Sequence, residues 1–137
     1  MKKLVVIVTR GGFTNLLQAC EFVRIAASNN TQVSVLFRDE SVAKMSLSKV
    51  KEIGFSEGYR GREAKMKELL AGEKRDDLQA LLREVKESGD VKFSICRESI
   101  RYFDLKVENL LPELDEVQTA ESFWNQEVEG ADQVLTF

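Results

Sequence analysis

The residues with the clearest chemistry lie in Ile95-Cys96-Arg97-Glu98-Ser99-Ile100-Arg101. Cys96 brings a thiol, which becomes a nucleophile as its thiolate. Val91, Phe93 and Ile95 precede it as β-formers, and Ile100 and Phe103 follow at helical spacing, so a strand hands over to a helix at this cysteine. A thiol at a helix start meets unpaired amide N–H groups and the positive end of the helix dipole, both of which favour thiolate. Arg97 and Arg101 are four residues apart on one helical face, placed to contact the thiolate or an anion beside it, while Glu98 opposes this in part. A second reading stands beside the first: Cys96 is a small apolar filler at the end of a buried strand.

Other residues converge on the same place if the strands are parallel. Gly11 and Gly12 follow the first strand and Arg38-Asp39 the second, so a cleft lined by Gly11, Gly12, Arg38, Asp39, Cys96, Arg97 and Ser99 is geometrically reasonable at one sheet edge. The two glycines can bring backbone amides near an anion, but they match neither phosphate-loop pattern and suit an ordinary tight turn equally. Asp39 reads equally as a helix start. Cys20 falls inside an apolar helical stripe and belongs to the core.

Composition removes several classes of chemistry. The chain has 137 residues, no histidine, two cysteines and a net charge of -3. Without histidine there is no Ser-His-Asp or Cys-His activation, and the commonest metal ligand is missing. Two distant cysteines suit free thiols in a reducing compartment and give no zinc pattern, so neither metal nor cofactor is expected. The charge argues against nucleic acid. The apolar run Leu4 to Val8 is far too short to span a membrane, so the chain reads as cytoplasmic and free of membranes. Charge is uneven: up to Arg38 five bases face Glu21 alone, and from Asp104 onward Lys106 is alone among nine acids. Solvated faces explain this, as does association through opposite patches.

The elements that must hold the thiol follow from periodicity. Lys3 to Val8 reads as a central buried strand, Phe13 to Ser28 as an amphipathic helix, and Val33 to Phe37 as a second strand. Residues 41–51 suggest a short helix, and Gly54, Gly58 and Gly61 mark a connection. Two helices around Met66-Leu70 and Leu78-Val85 form an inserted hairpin, the second capped at Asp76-Asp77. Val91 to Ile95 is the third strand, 97–103 a helix, 107–111 a short helical turn, 116–118 a fourth strand, 119–129 a helix and 133–137 the last strand. The fold class is α/β, a three-layer α/β/α sandwich over one domain, 1–137, with a five-stranded, mainly parallel sheet.

Several segments resemble the DsrE-like family, the DsrE/DsrF/TusD/YchN type of sulfur-relay proteins. They are Lys3 to Val8 entering Arg10-Gly11-Gly12-Phe13, the segment Val35 to Ser41, Phe93-Ser94-Ile95-Cys96-Arg97-Glu98-Ser99, Thr119 to Phe123, and Ala131 to Phe137. The resemblance implies a three-layer protomer, assembly into a trimer or hexamer, and Cys96 as the thiol that carries sulfur as a persulfide between donor and acceptor proteins. Arg97 stands where relatives often have a small residue, and the histidine that some relatives keep near the site is absent. Two other functions stay open: a non-catalytic module binding a small anion or nucleotide, and a structural subunit of an oligomeric complex.

Overall fold

A computed structural model describes all residues, 1–137. Five strands form the sheet: β1 (Lys3–Val8), β2 (Gln32–Phe37), β3 (Val91–Cys96), β4 (Glu116–Gln118) and β5 (Gln133–Thr136), in the order β4-β3-β2-β1-β5. Every pairing is parallel, which sharpens the expectation of a mainly parallel sheet. All five strand ends that follow the chain direction therefore lie along one edge.

The α-helices are α1 (Phe13–Ser28), α2 (Glu63–Gly72), α3 (Leu78–Glu87), α4 (Arg97–Tyr102) and α5 (Ala120–Phe123). Their placement follows from strand order. Passing from β1 through β2 and β3 to β4, the chain moves one way across the sheet, so right-handed crossovers put every connection on the same face. The return from β4 to β5 runs the other way, and its connection covers the opposite face.

The core is unequal for that reason. On the first face a cluster of 25 buried residues includes Val6, Val8, Leu16, Val23, Val35, Phe37, Leu82, Phe93 and Ile95. α3 packs on α1 there, and the Asp77 side chain accepts from the Ala80 N–H at 3.1 Å, capping α3. On the second face only Val5, Leu36, Cys96 and Phe123 form a buried apolar cluster. Its cover is the short stretch around α5.

Two segments differ from expectation. Over 41–51 the helix is a 3-10 turn at Asp39–Lys44, after which Met45 and Val50 drop into the large core and Ser46 bridges Leu110. The Gly54 carbonyl then accepts from the Phe13 N–H at 2.7 Å, satisfying an amide at the start of α1 that no side chain caps. The expected helix 119–129 is two pieces, α5 and a π-helix at Trp124–Val128. Phe123 and Glu127, four residues apart, both face the sheet and are buried.

Candidate functional site

Cys96 is the last residue of β3 and immediately precedes α4. Its backbone is extended, so its side chain leaves the sheet on the face shared by Lys92 and Ser94. There it packs with Val5, Leu36 and Phe123, and 1% of its surface meets solvent. The sulfur has one polar contact, donating from the thiol to Glu98 Oε2 at 3.6 Å.

The arginines stand elsewhere. Arg97 and Arg101 are exposed, neither bonds to the sulfur, and the Arg101 guanidinium lies 5.7 Å from the centre of the Tyr102 ring. α4 has six residues, fewer than two turns of aligned peptide dipoles. Glu98, in its first turn, is the group that the thiol touches.

The structure joins the loops at the carboxyl edge by hydrogen bonds and by close backbone approach. The Asp39 N–H donates to Ser99 Oγ at 2.7 Å, tying the end of β2 to α4. Gly11 lies so near the next loop that a Cβ would stand 2.7 Å from the Glu40 carbonyl oxygen, and the Ser41 N–H donates to the Thr9 carbonyl at 3.1 Å. Asp39 adopts φ 56°, a left-handed conformation that a short polar side chain tolerates. Gly12 is half-buried near the Ser56 backbone, and Arg38 is half-buried, its N–H bonded to the Val8 carbonyl. These residues share an edge with Cys96, while the thiol itself lies beneath the sheet's second face.

A charged network fixes the cover over that face. Glu127 accepts from Ser34 Oγ, lies 3.3 Å from Lys3 Nζ and 3.2 Å from Lys92 Nζ, and Lys92 also meets Glu116 at 3.1 Å. Burial pushes the Glu127 carboxyl up, but the hydrogen bonds from Ser34, Lys92 and Lys3 outweigh it and hold the group below the usual carboxylate range. Burial likewise works to lower Lys92, and its bonds to Glu116 and Glu127 prevail to raise it. Ser94 Oγ and Gln118 Oε1 on the same face have no hydrogen-bond partner.

Sequence reasoning missed Glu127, Ser94 and Gln118. For Ser94 and Gln118 the signal was present as period-two polarity: Ser34 in β2, Lys92 and Ser94 before Cys96 in β3, and Glu116 and Gln118 in β4; Glu127 lies outside the strands and carries no such signal. Cys20 behaves as a core residue. Burial and then the nearby Glu84 charge push its thiol up to about 12. It lies against a groove of about 380 Å³ between α1 and α3, on the opposite side of the sheet from Cys96. No group of three or more His, Cys, Asp or Glu side chains is placed to hold a metal ion. No helix is long and apolar enough to cross a membrane.

The DsrE/DsrF-like family matches residues 2–137, virtually the whole chain. The chain belongs to the DsrE/DsrF-like family. At the level of the family this points to sulfur relay. Among solved structures, the protein of unknown function MTH1491 from Methanobacterium thermoautotrophicum is similar in fold over 100% of both chains, with a TM-score of 0.67 and 14% identity. No curated protein matches the sequence. The structural likeness carries the α/β architecture alone.

Proposed function

We propose that this DsrE-like chain carries sulfane sulfur as a persulfide on Cys96. The observation that carries the reading is the contact between the Cys96 thiol and the Glu98 carboxylate at the end of β3. In a chain without histidine, Glu98 is the group in reach of the thiol proton. The Cys96 sulfur attacks the outer sulfur of a donor persulfide, the new S–S bond forms as the donor S–S bond breaks, and the donor leaves with the electron pair as a thiolate. The thiol proton passes through Glu98 to that thiolate. An acceptor thiolate repeats the exchange in the next step, and no external oxidant enters.

The burial of Cys96 gives the transfer a condition: residues 119–128 must move before a donor can reach the sulfur. Its small apolar contact and π turn suit that role. We further propose that the chain works in the cytoplasm as a homo-oligomer, a trimer or hexamer, that exchanges sulfur with donor and acceptor proteins. Exposed Tyr102 and Phe103 at the end of α4, with Trp124 and Val134 on the second face, supply apolar surface for such contacts.

Intact mass after incubation with inorganic polysulfide tests the central claim. One added sulfur is expected in the wild type and in Cys20→Ser, and none in Cys96→Ser. A wild-type chain that stays unmodified by active donor would falsify the proposal. Glu98→Gln is expected to slow adduct formation by about 100-fold, the usual scale for losing a proton acceptor.

A further inference from the structure

Two polar atoms on the face of the sheet that carries Cys96 are buried with nothing to bond. Ser94 is 0% exposed and Gln118 is 3% exposed, and neither Ser94 Oγ nor Gln118 Oε1 has a partner. Such groups are rare in folded proteins because burial removes their water without replacing it. Both are placed by the sheet relative to the thiol. Ser94 precedes Cys96 by two residues on β3, so both side chains leave the same face. Gln118 is the register partner of Cys96 across the β3–β4 ladder, which puts its side chain on that face as well. The Gln118 amide nitrogen is committed to Glu116, leaving the oxygen as the unused atom.

We propose that Ser94 and Gln118 form the binding subsite for the outer sulfur of the Cys96 persulfide. This rests on the reading of Cys96 as the sulfur acceptor and adds what receives the transferred atom. Ser94 supplies a hydroxyl donor to the outer sulfur when it is anionic. Gln118 Oε1 supplies an acceptor to the S–H when the outer sulfur is protonated. The added sulfur is thereby held in both protonation states on a face whose apolar lining is Val5, Leu36 and Phe123 and whose charged groups are Glu98 at the thiol and the Lys92, Glu116 and Glu127 network, all present alike in wild type and variants. The atom balance is that of simple exchange: Cys96 Sγ bonds the terminal sulfur of a polysulfide, the terminal S–S bond breaks, and the shortened polysulfide leaves with the electron pair.

The two groups act in opposite directions, and that makes the test selective. Wild type, Ser94→Ala and Gln118→Leu are loaded with inorganic polysulfide, desalted, and the near-ultraviolet absorption of the perthiolate is followed against pH. Loss of the Ser94 donor is expected to raise the outer sulfur's proton affinity roughly tenfold, the scale of one hydrogen bond to a charged group. Loss of the Gln118 acceptor is expected to lower it. Unloaded Ser94→Ala should melt no lower than wild type, because it loses only an unpaired hydroxyl. A merely structural role predicts shifts of one sign or none. If the wild type takes up no sulfur, the reading of Cys96 fails and this inference falls with it. If the wild type loads and both variants titrate as it does, the subsite alone is overturned, and Gln118→Leu decides the matter should Ser94→Ala not fold.

Discussion

The two cysteines are chemically distinct residues because of what surrounds each thiol. Cys20, with its thiol pushed up to about 12 by burial and Glu84, is almost wholly protonated at neutral pH. We expect it to resist maleimide or iodoacetamide in the native protein and to react only in denaturant; native labelling of Cys20 in Cys96→Ser, read by peptide mass mapping, would contradict this. The sequence made Cys20 legible as core, since it recurs with Leu16, Leu17 and Val23 at helical spacing. Cys96 was legible by position, at the end of an apolar run, but its partner was not. Arg97 and Glu98 are both adjacent candidates in one dimension, and only the course of α4's first turn selects Glu98 for the sulfur.

At the scale of elements, the cover over Cys96 is weakly built compared with the rest. Phe123→Ala is expected to cost up to about 3 kcal/mol, at the low end for a buried phenylalanine because so few apolar neighbours surround it, and to speed labelling of Cys96. Denaturant melts with timed thiol labelling would show both effects. The charges set a pH window for the same element. The folded Glu127 carboxyl titrates below its unfolded value of about 4.3, so its contribution is full above that pH and is lost as pH falls through the lower folded value. Lys92 is raised when folded, so its contribution is full below about 10.4 and is lost as pH rises through the folded value. Trp124, the chain's one tryptophan, lies in this cover, and its fluorescence should report opening at both limits. Glu127→Gln should remove the acid limb; an unchanged acid transition would show that the carboxylate does not fasten the cover. Periodicity pointed to a helix over 119–129 because it registers apolar spacing, whereas the partners that let Glu127 be buried there, Ser34, Lys3 and Lys92, are distant in sequence.

Across the whole molecule, architecture was the most legible level. Continuous apolar strands, intervening helical stripes and turn residues dictate a parallel sheet, and β1 with α1 has the bounds that the pattern implies. Strand order was beyond reach, because nothing local states that β5 pairs with β1. Residues 41–61 were equally opaque, since Met45 and Val50 enter the core singly with no repeating stripe. Leu82→Ala, in the thick half of the core, should cost about 2–5 kcal/mol and lower the denaturation midpoint of the whole domain. Gly11→Ala should also destabilise, because its Cβ meets backbone oxygen and no flexible side chain can yield.

The return of the chain across the sheet from β4 to β5, which leaves one face so thinly clad, has a kinetic corollary. If the cover opens slowly relative to capture of the exposed thiol, the reaction of Cys96 loses its dependence on reagent concentration. Polysulfide and maleimide would then approach one shared maximum rate, a property of the protein's own clock and of neither reagent. Stopped-flow traces that converge on a common plateau would measure that clock directly, and traces rising linearly with concentration toward different limits would show that chemistry sets the pace.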